Sequence, residues 1–154
     1  MTPDVVRDKD GVSAGLMALD IAYSLAREGK TLWDYLETIE AAVGGFASSQ
    51  ITIKLGGPGT NTPLAEQLRN AQPVAFGTRS ITQMDDFLQG VGNFPREDIL
   101  RYYLEDGSRV IIRPSGTEPK LKIYLDTQGD TRRVAETALK ELESALRALV
   151  VDLS

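Results

Sequence analysis

Ile99-Leu100-Arg101-Tyr102-Tyr103-Leu104, Glu105-Asp106-Gly107-Ser108 and Arg109-Val110-Ile111-Ile112-Arg113 follow one another without a break. The first and third stretches are dense in β-branched, aromatic and aliphatic residues. The second places Asp-Gly at its bend, a pair that tolerates the positive φ of a tight turn. Together they predict a β-hairpin. Tyr102 and Tyr103 then lie on opposite faces of one strand, so at most one of them is fully buried there. Beyond the hairpin, Leu121-Lys122-Ile123-Tyr124-Leu125 alternates with period two, which sets Lys122 and Tyr124 opposite Leu121, Ile123 and Leu125.

Working outward, Gln50-Ile51-Thr52-Ile53-Lys54-Leu55 alternates in the same way and is broken by Gly56-Gly57-Pro58-Gly59. Thr62-Pro63 has the form of a helix start, with Leu64, Ala65 and Leu68 as a short apolar face. Val74-Ala75-Phe76 and Ser80-Ile81-Thr82 are candidate short strands. Residues 85 to 97, with Gly90, Gly92 and Pro95, read as a connecting loop. A last helix is expected from about Thr131 to Val150, with Val134, Ala138, Leu139, Leu142, Leu146 and Leu149 inward and Arg132, Glu136, Lys140, Glu143 and Arg147 outward.

The beginning of the chain has a different period. Val12, Leu16, Leu19, Tyr23 and Ala26 recur at helical spacing, with Asp8 or Asp10 available as a cap and Gly29 where a left-handed terminator belongs. Thr31 with Asp34 has the form of a capping box for a second helix carrying Leu32, Tyr35, Leu36 and Ile39, which should end near Gly44-Gly45. Trp33 and Tyr35 are read as packing residues of a core or an interdomain surface rather than a ligand platform. The expected fold class is α+β, a sheet with helices packed on one face, preceded by a helical hairpin. Residues 1–45 are read as the remnant of a preceding domain and 46–154 as a domain of their own.

The 154 residues carry a net charge of −5, which argues against the broad basic surface of a nucleic-acid binder. No run approaches the roughly 18 apolar residues of a membrane span, and no signal-peptide pattern opens the chain. With no cysteine there is no disulfide framework, which fits a cytoplasmic protein. With no histidine there is neither a Ser-His-Asp triad nor a His-containing zinc site.

Between the hairpin and the strand that follows it stands Arg113-Pro114-Ser115-Gly116-Thr117-Glu118-Pro119-Lys120. Arg113 ends a strand, so the sheet aims a guanidinium that can fork onto two phosphate oxygens. Ser115 and Thr117 supply hydroxyls, and the amides around Gly116 can turn toward an anion as a nest. Lys120 or Lys122 adds charge. The same residues also suit a plain turn with solvated charges. Ser115 has no visible base to activate it, so the chemical reading favoured is a binding loop rather than a nucleophile.

This octapeptide, followed by a Lys-Ile-Tyr strand, resembles the C-terminal phosphate-binding loop of the α-D-phosphohexomutases, the phosphoglucomutase and phosphomannomutase family. Residues 102–108 resemble the hairpin before that loop, and Asp8-Lys9-Asp10-Gly11 with the helix after it resembles the end of the family's third domain. The resemblance implies a TATA-box-binding-protein-like sheet for the fourth domain. It also implies that Arg113, Ser115, the Gly116 amide, Thr117 and Lys120 hold the phosphate of a sugar phosphate. The family's Thr-Ala-Ser-His-Asn-Pro serine segment, its Asp-Gly-Asp-Gly-Asp-Arg magnesium loop and its Gly-Glu-X-Ser-Gly sugar loop are absent. Asp8-Lys9-Asp10-Gly11 lacks the third aspartate of the metal loop and reads as a helix cap. The resemblance therefore implies a fragment that is inactive alone, with no catalytic residue and no metal of its own. Magnesium and the chemistry would belong to a full-length parent, and the partners would be the sugar phosphate and the missing domains. A free-standing phosphate-binding or regulatory module, without catalysis, is the alternative function.

Overall fold

The computed structural model describes residues 10–54, 64–115 and 120–152. It divides into two compact units, one ending at Val43 and the other starting at Gly44.

The first unit is a pair of helices, α1 (Gly11–Arg27) and α2 (Leu32–Val43). Asp10 caps α1, its carboxylate accepting from the amides of Val12 and Ser13 at 3.0 and 3.1 Å. The carboxyl is held below its usual range, first by its bond with Ser13. The helix ends in a Schellman arrangement: Gly29 takes φ +73, its N–H donates to the Ala26 carbonyl, and the N–H of Lys30 donates to that of Leu25. The capping box at Thr31 forms in both directions. The Asp34 amide donates to Thr31 Oγ1, and the Thr31 amide donates to the Asp34 carboxylate. The apolar stripe read from the sequence is not covered, however. Val12, Leu16, Leu19 and Tyr23 stay exposed, and the half-buried residues of α1 are Ser13, Ile21, Ala22 and Leu25. Neither helix has a buried residue.

The second unit is a six-stranded antiparallel sheet in the order β1-β6-β5-β4-β3-β2. Its strands are β1 (Gly45–Lys54), β2 (Ala75–Phe76), β3 (Arg79–Asp86), β4 (Leu100–Leu104), β5 (Arg109–Pro114) and β6 (Lys120–Gly129). Helices α3 (Leu64–Ala71) and α4 (Arg132–Asp152) contribute to the same core. Ala65 and Leu68 of α3, and Leu142 and Leu146 of α4, are buried against Ile51, Leu100, Tyr102, Leu104, Val110, Ile112, Leu121, Ile123 and Leu125. These strand residues alternate along their strands, so one face of the sheet carries the core and the other carries the polar set. The α+β class with helices on one face is the one expected.

The hairpin forms with Gly107 at φ +80, and Tyr102 is fully buried while Tyr103 is half-buried. Elsewhere the strands are longer than their sequence signals. β1 starts at Gly45 instead of Gln50, because small residues let α4 lie against it. A Cβ on Gly45 would stand 2.1 Å from the Arg132 backbone nitrogen. The buried Thr127 hydroxyl donates to the Ala135 carbonyl of α4 at 2.8 Å and lies 3.3 Å from the Ala47 carbonyl of β1. Thr131 caps α4, which starts at Arg132 and runs to Asp152. Val134, read as inward, is 51% exposed, and Ala135 is the buried residue of that turn. The Gly56-Gly57-Pro58-Gly59 break and the Thr62-Pro63 helix start lie outside the described residues.

Candidate phosphate-binding site

The site is best built from the open face of the sheet. Cross-strand partners lie on the same face, so the register reads directly as rows of side chains. One row runs Gln50, Tyr124, Ile111, Arg101, Asp85, and the next Ser48, Asp126, Arg109, Tyr103, Gln83. Toward the loop end of the sheet, Thr52 is opposite Lys122 and Lys122 opposite Arg113, and Lys54 is opposite Lys120.

The electrostatics differ sharply along this face. Arg101 donates to Asp85 at 2.7 and 2.9 Å and lies over the rings of Phe87 and Tyr103. Burial raises the Asp85 carboxyl, but its bonds from Gln83 and Arg101 outweigh that and hold it below the usual range. Arg109 donates to Asp126 at 2.6 and 3.0 Å, and Ser48 donates to the same carboxylate. Each of these arginines is thus neutralised by the aspartate across from it. At the loop end the charged side chains among the described residues of these rows are cations: Arg113, Lys122, Lys120 and Lys54.

Of the residues expected to hold phosphate, Arg113 is exposed on this open face, and Ser115 and Lys120 are half-buried at the two sides of the loop. The Ser115 amide donates to the Lys120 carbonyl at 2.7 Å, which draws the ends of strands β5 and β6 together beneath the loop. Gly116 and Thr117, with Glu118 and Pro119, lie outside the described residues. The structure therefore brings Arg113, Ser115 and Lys120 to one end of the sheet. It adds Thr52 and Lys54 of β1, which sequence reasoning did not connect to the loop. Alternation does set these two opposite Ile51 and Ile53, but nothing local shows that β1 pairs with β6.

Among the described residues no group of three or more His, Cys, Asp or Glu side chains is placed to hold a metal ion. No described helix is long and apolar enough to cross a membrane.

The comparisons with known proteins identify the family. A probable phosphomannomutase of Haemophilus influenzae is 38% identical over 148 residues, covering 96% of this chain. A phosphoglucomutase of Staphylococcus haemolyticus is 29% identical over 144 residues, and one of Staphylococcus aureus 30% identical over 134. The chain spans 30% of the length of the first and 26% of the second. The family model for the phosphoglucomutase/phosphomannomutase C-terminal domain matches residues 62–144, a segment that holds β2 to β6, the loop and most of α4. Matched over more than half its length by that model, and 38% identical to the Haemophilus protein across 96% of its length, this chain belongs to the phosphoglucomutase/phosphomannomutase family and bears its C-terminal domain.

Proposed function

We propose that this chain is the substrate-phosphate-binding part of a phosphohexomutase that interconverts hexose 1-phosphate and hexose 6-phosphate. The observation that carries the reading is Arg113. It stands at the end of β5 with no acidic partner among the described residues, whereas Arg101 and Arg109 on the same face are each paired with an aspartate. A guanidinium left unneutralised beside a loop of hydroxyl and amide donors suits a phosphate dianion. Ser115, the Gly116 amide, Thr117 and Lys120 complete the grip in this proposal.

The loop's contribution is positioning and charge neutralisation. A sugar bearing phosphate must present its other end to the reacting group, and fixing the distal phosphate sets that geometry. No nucleophile, base or metal is assigned to this chain. Those roles fall to the remainder of a longer protein, as does any magnesium, and the fragment alone is inert. Residues 1–45 are, in the same reading, the end of the domain that precedes the phosphate-binding one.

The test is Arg113→Ala in the full-length parent. A charged hydrogen bond to a bound anion contributes about 2–4 kcal/mol at the transition state, so kcat/KM should fall roughly 30- to 800-fold with the fold intact. Unchanged kinetics for hexose phosphate would overturn the assignment.

A further inference from the structure

We infer that the anion site continues past the loop onto the open face of the sheet, where Lys122 of β6 and Lys54 of β1 are further contacts for a phosphate monoester dianion. This rests on the reading of Arg113 and its loop as a phosphate site.

The register makes the case. Two opposed pairs at this end of the sheet are cation against cation: Arg113 with Lys122, and Lys54 with Lys120. Like charges directly opposite across strands are destabilising. Elsewhere on the face the chain avoids this by placing Asp85 opposite Arg101 and Asp126 opposite Arg109. Lys120 has a contact of its own. The side chains of Arg113, Lys122 and Lys54 have no hydrogen-bond or ion-pair partner among the described residues. In a protein of net charge −5, this cluster is a local inversion of sign, and an anion resolves it.

Reach and donor chemistry agree. Opposed Cβ atoms on neighbouring strands stand about 5 Å apart, so the ends of Arg113 and Lys122 can meet on one phosphate. Thr52, on the other side of Lys122, accepts from Gln50 Nε2 at 2.9 Å, which leaves its own hydroxyl proton to donate elsewhere. The row Thr52, Lys122, Arg113 thus presents a hydroxyl, an ammonium and a guanidinium side by side. A phosphate monoester carries close to two charges at neutral pH, and a second cation suits it better than a monoanion.

The experiment follows backbone amides of the 15N-labelled chain while inorganic phosphate is titrated in at constant ionic strength. The variants are Arg113→Gln, Lys122→Gln, Lys122→Arg, Lys54→Gln and Lys140→Gln, the last removing an exposed charge from α4. Loss of one contacting charge weakens binding roughly fivefold at Lys122 and about twofold at the more peripheral Lys54. Lys122→Arg should recover most of the affinity, and Lys140→Gln should bind as the unaltered chain does. Unshifted resonances of the buried Leu100, Leu142 and Leu146 certify the fold of each variant. If Arg113→Gln abolishes binding while Lys122→Gln matches Lys140→Gln, the extension onto the sheet is wrong and the loop reading stands. If phosphate moves no amide from Arg113 to Lys122 in the unaltered chain, both are overturned.

Discussion

Tyr102 is fully buried, its ring edge-on to Phe76 with centroids 5.0 Å apart, yet its hydroxyl has no hydrogen-bond partner among the described residues. Burial pushes its ionisation up from 10.0 to about 12. The folded state therefore favours the neutral phenol, so the stabilisation is complete below pH 10 and is lost as pH rises from 10 toward 12. A two-unit shift corresponds to roughly 3 kcal/mol at its full extent. Absorbance at 295 nm, compared between the unaltered chain and Tyr102→Phe, should show Tyr102 ionising only toward pH 12, together with loss of the fold. Ionisation of Tyr102 near pH 10 in the folded protein would contradict the burial argument. Tyr102→Phe keeps the ring and removes an unbonded polar atom, so urea denaturation should show a change between zero and about 1 kcal/mol in the stabilising direction. The alternation of β4 predicted that one tyrosine of the pair is buried at most, but not which. That choice depends on which face α3 and α4 cover, a long-range fact.

At the scale of elements, local signals were legible where the physics is local. Asp10, Gly29 and the Thr31–Asp34 box are visible because capping is settled within four residues. The hairpin at Asp106-Gly107 is visible for the same reason. The first half of β1 was not, because Gly45, Ala47, Ser48 and Ser49 give no strand signal around the lone Phe46, and the segment is held by α4 and β6. The placement of Val134 outward and Ala135 inward has the same origin: α4 comes close enough to β6 that Val134 lies against Gly129. Gly45 offers the sharpest test of this packing. An added methyl would meet the backbone of Thr131 and Arg132, which cannot rotate away as a side chain would. Gly45→Ala should cost about 2 kcal/mol or more in urea denaturation, far beyond a strand-propensity effect, and would loosen β1 and the start of α4 together. Gly15→Ala, where a Cβ meets nothing within 4 Å in the middle of α1, should instead be neutral or stabilising.

Taken whole, the candidate site was legible in its composition and not in its extent. Eight consecutive residues suggested the loop, but Thr52 and Lys54 of β1 become neighbours of its ends only through pairing between strands far apart in sequence. The chain falls into two compact units, and these differ in what holds them. The sheet unit has a continuous core in which Leu100, Val110, Ile112, Ile123, Leu125 and Leu142 are wholly excluded from solvent. Neither helix of the hairpin buries a single residue, and Val12, Leu16, Leu19, Tyr23, Leu32, Trp33 and Val43 are each at least 50% exposed. Caps and a Schellman turn contribute about 1 kcal/mol each, which cannot by itself hold two helices of 17 and 12 residues against chain entropy. Amide hydrogen exchange of this chain should therefore resolve two classes. Amides of α1 and α2 should exchange through low-energy local opening, while those of β4, β5 and β6 should exchange only on global unfolding of the sheet. If residues 1–45 end a preceding domain, as proposed, a parent protein carrying that domain should cover the exposed apolar side chains and raise the protection of α1 and α2 by orders of magnitude. Protection of α1 and α2 equal to that of β5 in the chain alone would show that the hairpin needs no such cover.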